Sequence, residues 1–183
     1  RVEENLTYQM VQFSGSTPGL NWLFQIRGIR PPPEEVVVVS TDRQSAYELG
    51  HPQEPYKWPR SLNGRLVSRL AEQGAKVIAF DLFFKDIGSQ EENAKFAGAM
   101  RDAGNVILFE KLTTTGSLAQ PVRGSIRIPP TAQLAQAAAG LASHPLPTGS
   151  LRVNQFWLFA PNNPHRDTLP LLALQMNALH LYE

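Results

Sequence analysis

The sequence predicts an α/β fold in three layers, α/β/α, around a mainly parallel, doubly wound sheet. Three stretches carry that expectation. KVIAFDLFF, residues 76–84, is a nearly continuous apolar run rich in Val, Ile and Phe. Such a run marks a strand buried on both faces, as in a parallel sheet. SLNGRLVSRLAEQG, with a helical period, stands just before it, and EVVVVSTD stands before that. Strand, helix, strand is a βαβ unit, whose strands run parallel. Asp42 closes the first run and Asp81 interrupts the second, so both acids are expected at one sheet edge. Open α/β sheets bind their ligands at that edge.

The elements follow in order. Residues 1–16 have no clear period and read as an N-terminal extension; residues 17–183 read as one domain. Asn5-Leu6-Thr7 matches a glycosylation triplet that chance supplies often. Thr17 and Pro18 suit the cap and first position of a helix, and Gly28 suits its end. Leu20, Trp22, Leu23, Phe24 and Ile26 cover more than one face of it, so it needs burial or a partner. Pro31-Pro32-Pro33 is a stiff spacer leading to strand one. A short helical turn is expected over Ser45–Leu49, closed by Gly50. The proline-rich loop from His51 to Pro59 follows.

Ser61 is the expected cap of the next helix, with Leu62, Leu66, Val67 and Leu70 inward and Gly74 as its stop. After the central strand, Ser89 and Glu92 form a capping-box pattern for a third helix. Its inner residues are Phe96, Ala97 and Met100, and Gly104 ends it. Asn105–Phe109 is strand three. Residues 110–130 are polar and read as a hairpin excursion, with Ser125–Ile128 as a strand. Thr131–Ala139 is a small helix. Gly140–Ser150 is a loop with one short strand, and Leu151–Ala160 is a strand. APNNP is a turn. Thr168 caps a last helix, which Leu171, Leu172, Leu174, Met176, Ala178, Leu179 and Leu181 leave with little polar face.

Composition narrows the functional classes. The chain has 183 residues, is 42% apolar and has a mean hydropathy of −0.24, which suits a water-facing domain with a core. A net charge of +1 without basic runs gives no electrostatic case for nucleic acid. The lack of cysteine removes disulfides and thiolate chemistry but does not fix the compartment. No stretch reaches the roughly 20 apolar residues of a membrane span. The start at Arg1 and the stop at Glu183 after an apolar helix read as cuts in a longer protein.

Asp42 and Asp81 are the leading site candidates. Two carboxylates at neighbouring strand ends can hold a cation, share a proton or grip a cationic ligand. Arg60 begins the helix between them and belongs to the same edge; its simplest role is to pair with the acids and pin the loop. Trp58 either plugs that loop onto the sheet or lines a ligand pocket. His51, His144, His165 and His180 never stand at metal-ligand spacing on one element. Strand one runs into STDRQS rather than a phosphate-binding glycine loop. Ser45 lacks a nucleophile elbow, and Phe83 stands where an aspartyl phosphohydrolase needs its second acid. No catalytic residue, metal or cofactor is assigned.

The runs RGIRPPPEEVVVVSTD, Leu49-Gly50, WPRSLNGRLVSRL, GAKVIAFDLFF and AGNVILFEK resemble the type-two CHASE domain, a cyclase and histidine-kinase associated sensory extracellular domain. LRVNQFWLFAP and TLPLLALQMNALHLY look like its cyanobacterial branch. The likeness covers residues 17–182. Arg43 follows Asp42 where a second acid is common, and Pro52–Lys57 is a long insertion before the Trp-Pro pair. The first change weakens the case for a metal at Asp42. The resemblance implies a sensor on the periplasmic face of the bacterial membrane, flanked by membrane helices and joined to a cyclase, histidine kinase, serine/threonine kinase or diguanylate cyclase. A homodimer is expected because cyclase and kinase outputs usually work in pairs, and the strand-end reading places a small ligand or ion of unknown identity around Asp42, Trp58, Arg60 and Asp81. A metal-dependent hydrolase-like enzyme and a pure dimerisation or partner-binding module are the alternatives.

Overall fold

The computed structural model describes residues 18–85, 89–115, 124–146, 156–160 and 163–179. Along the chain the helices are α1 (Pro18–Arg27), α2 (Arg43–Glu48), α3 (Arg60–Glu72), α4 (Gln90–Ala103), α5 (Ala132–Ala137) and α6 (Leu169–Leu179). The strands are β1 (Ile78–Phe80), β2 (Val106–Phe109), β3 (Lys111–Thr115), β4 (Gly124–Ile128), β5 (Gly140–Ala142), β6 (Phe159–Ala160) and β7 (Asn163–Asp167). The chain divides into two units, Arg1–Ser40 with Leu146–Trp157, and Thr41–Pro145 with Leu158–Glu183.

The second unit is built on a parallel sheet of order β1-β2-β5. Its strands are short because Asp81 and Glu110 follow their apolar residues directly. Alternation sorts the side chains to two sides. Ile78, Phe80, Val106 and Leu108 pack with Val67 of α3, Phe96, Ala97 and Met100 of α4, and Leu134 of α5. Phe80, Phe84 and Phe96 meet edge to face, with centroids 5.2–5.6 Å apart. Each such ring removed from water contributes about 2 kcal/mol. Ile107 and Ala142 join a second cluster with Leu169 and Leu172 of α6. The order β1-β2-β5 runs one way, so this three-stranded sheet has no point where strand order reverses.

Helix ends follow the sequence closely. Ser89 caps α4 by accepting from the Glu92 N–H at 3.2 Å, and Gly28, Gly50, Gly74 and Gly104 all take positive φ at or just after helix ends. Glu92 does not close the box on its own helix. Its carboxylate accepts from the Ser61 N–H at 2.8 Å and so ties α4 to the first turn of α3. Ser61 is therefore not the cap: Pro59 holds that position, and Glu92 satisfies the orphan donor. The hairpin expected after residue 110 forms as β3–β4, antiparallel from Lys111↔Ile128 to Thr115↔Gly124.

The structure refines three expectations. The central strand covers only Ile78–Phe80 of residues 76–84. The short strand of the 140–150 loop is a full member of the parallel sheet, β5. Residues 163–167, whose first two belong to the expected APNNP turn, form β7, paired antiparallel with β6. Of the Leu151–Ala160 strand only Phe159–Ala160 form β6 and 156–158 are irregular; residues 151–155, residues 161–162 of the APNNP turn, the 1–16 extension and the chain beyond 179 lie outside the described residues.

In the first unit, α1 forms as expected, with Trp22, Leu23 and Ile26 exposed. The strand expected at EVVVVSTD does not. Val36–Val39 run as irregular backbone, 51–85% exposed. β-Branched residues favour a strand through packing on a neighbour, and no strand partners these valines among the described residues. Both apolar end helices are short. No helix among the described residues is long and apolar enough to cross a membrane.

Candidate functional site

Because β1, β2 and β5 are parallel, their C-terminal ends meet at one rim. Asp81 follows β1 directly, Glu110 follows β2, and Ser143 and His144 follow β5. The Glu110 N–H donates to the Ala142 carbonyl at 3.0 Å, extending the ladder to the rim. The same register places Glu110 beside Ser143.

Glu110 is fully buried, and two arginines meet it there. Arg166 donates to Oε1 from Nε at 3.0 Å and approaches the same oxygen with Nη2 at 2.9 Å. Arg127 donates to Oε2 from Nη1 at 3.2 Å. Local topology delivers each one. The β3–β4 hairpin begins at Lys111, next to Glu110, and folds Arg127 back opposite Leu112. Thr168 bridges in parallel to Ser143, which brings the end of β7, and with it Arg166, alongside β5. Burial pushes the Glu110 carboxyl above its ordinary range, and the Arg127 charge opposes that shift. Arg166, bonded at hydrogen-bond distance, acts in the same sense as Arg127.

Two further features share the rim. His144 Nδ1 stands 3.9 Å from Asp81 Oδ2, an ion-pair distance when the imidazole is protonated. The Ser143 hydroxyl is buried without a hydrogen-bond partner among the described residues. A buried, unbonded hydroxyl costs about 1–3 kcal/mol.

The four residues singled out by sequence fall as follows. Asp81 is at the rim as expected. Asp42 is not at a strand end. It caps α2, accepting from the Ser45 N–H and Oγ at 2.9 Å each, and these bonds hold its carboxyl below the usual range. Trp58 is buried, with Nε1 donating to the Pro52 carbonyl at 2.6 Å and its ring 5.5 Å from His51. Arg60 is buried, with its guanidinium 4.6 Å from the Phe84 ring centre. Asp42 and Asp81 share no bonded partner among the described residues.

Sequence reasoning missed Glu110, Arg127, Arg166, Ser143 and His144. A signal existed for Glu110: it stands after VILF as Asp81 stands after IAF. Nothing local marks the arginines, which arrive through a hairpin and a strand distant in the chain.

A family model, the CHASE2 domain, matches residues 9–182. The chain belongs to the CHASE2 family. No curated protein and no solved structure matches it. CHASE2 is a family of sensory extracellular domains in signalling receptors. In this CHASE2 domain the rim gathers Asp81, Glu110, Ser143 and His144 at the ends of three parallel strands. Its carboxylates and imidazole come as pairs rather than as a metal cage among the described residues.

Proposed function

We propose that this CHASE2 domain is the periplasmic signal-input module of a bacterial transmembrane receptor whose output is an adenylate or guanylate cyclase, a histidine kinase, a serine/threonine kinase or a diguanylate cyclase. The observation that carries the reading is the charged rim at the parallel strand ends in a chain of this sensory family. The ligand sits at that rim, with Asp81 and His144 on its open side. Asp42, Trp58 and Arg60 hold the loop and helix that border it. The receptor is a homodimer, since cyclase and kinase outputs work in pairs, and membrane helices flank the domain in the whole protein. α6 packs on β5 and β2 and carries the change toward the membrane.

Binding acts as a signal only through unequal affinity for two arrangements of the end helices; a coupling of about 1–3 kcal/mol is typical. The absence of cysteine gives a clean test of location. Glu72 is exposed, so Glu72→Cys in the full-length protein provides a single label site in this domain. A membrane-impermeant maleimide labels it in intact cells whose outer membrane is permeabilised. Labelling only after inner-membrane lysis contradicts the reading. The paired change Asp42→Ala and Asp81→Ala abolishes the ligand response of the full-length receptor; an unchanged response contradicts the pocket.

A further inference from the structure

We propose that the rim binds a small anion, an organic carboxylate or an inorganic oxyanion, between Arg127 and Arg166. The claim that this binding is a signal rests on the sensory reading above; the binding itself does not.

Three observations point to it. First, the charges do not balance: two guanidiniums meet one buried carboxylate, and both have Glu110 as their described partner. Asp81 is largely exposed and faces His144 instead. Second, both guanidiniums keep donors unused among the described residues while staying open to solvent, Arg127 with 47% and Arg166 with 26% of the side chain exposed. A guanidinium fork matches a carboxylate or phosphate edge, so the unused donors are shaped for that ligand. Third, the unbonded Ser143 hydroxyl lies beside Glu110 in the β2–β5 register and can donate to an anion.

Glu110 then acts as an internal anion. It holds the arginines in place when the site is empty and competes for them when the ligand arrives. The competition has a direction. Arg127 belongs to the β3–β4 hairpin, whereas Arg166 stands three residues before α6. An anion that draws Arg166 away from Glu110 pulls on the strand that leads into the C-terminal helix.

The test is calorimetric titration of the full chain with sodium phosphate and, separately, with sodium succinate, at constant ionic strength set by chloride. Saturable binding of either is expected, and the stronger names the source. Arg127→Gln and Arg166→Gln each weaken it at least tenfold. Glu110→Gln tightens it, because the competing charge is gone; a purely structural cluster has no reason to gain affinity. If Glu110→Gln does not fold, the half-exposed Arg127→Gln decides. No saturable heat with either anion, or binding unchanged in both arginine variants, overturns the proposal. That result leaves the labelling test of location untouched, so the two readings fail separately.

Discussion

Arg166 holds Oε1 of Glu110 through Nε at 3.0 Å and Nη2 at 2.9 Å, across 56 positions of sequence. The pair joins the end of a central strand to the strand that leads into the last helix. A buried carboxylate is tolerated only when paired, and here the pairing also fixes the base of α6.

Glu110→Gln removes the charge and leaves two guanidiniums facing each other over a buried amide. The expected loss is about 3 kcal/mol, toward the lower end for a broken buried pair because Arg127 is half exposed. Urea unfolding followed by circular dichroism measures it. Replacing all three with apolar residues of similar volume costs less than the single change, since the desolvation penalty leaves with the charges. A single change with no measurable cost contradicts the account.

Acid weakens the α3–α4 clamp. The Glu92 carboxyl accepts from Ser61, and those bonds hold it below the ordinary glutamate value of 4.5. A carboxyl lowered on folding contributes stability that is fully present above its unfolded value. The contribution disappears as pH falls through the folded value. Glu92→Gln is therefore less stable by about 1 kcal/mol at neutral pH, and its unfolding midpoint changes less than wild type between neutral pH and pH 3. Parallel pH profiles for the two proteins contradict the assignment.

Local grammar was legible in the sequence where the deciding interactions are local. Ser89 and Gly104 bound α4 because a hydroxyl and a glycine suit those positions whatever surrounds them. The apolar runs at Ile78–Phe80 and Val106–Phe109 declared buried parallel strands. The hairpin after residue 110 was legible from its polar stretch. Val36–Val39 show the limit: four β-branched residues state a preference, but a strand exists only with a neighbour. APNNP, residues 160–164, read as a turn because Asn and Pro dominate, yet Asn163 and Pro164 open β7, which pairs with β6. Asp42 was placed from a strand that did not form, and it stands instead at the start of α2, which it caps. Two guanidiniums on one buried glutamate are a product of tertiary folding, and no spacing rule reaches them.

Gly64 and Gly98 should answer oppositely to the same change. A Cβ on Gly64 would lie 3.3 Å from the Phe96 Cα and 3.4 Å from the Lys95 carbonyl oxygen, so α4 must shift to admit it. Gly64→Ala is expected to cost about 1–3 kcal/mol through overpacking. At Gly98 nothing lies within 4 Å of the new carbon, and the position is helical. Gly98→Ala is expected to gain about 0.5–1 kcal/mol from reduced backbone entropy of the unfolded chain. Thermal melts of the two variants check the sign; equal effects contradict the packing of α3 on α4.

Hydrogen–deuterium exchange of Arg166→Gln against wild type tests most directly whether the rim controls the last helix. Faster exchange confined to β7 and the first turns of α6, with α3 and α4 unchanged, is the predicted result. Unchanged exchange in α6, or a uniform rise across the whole second unit, would contradict it.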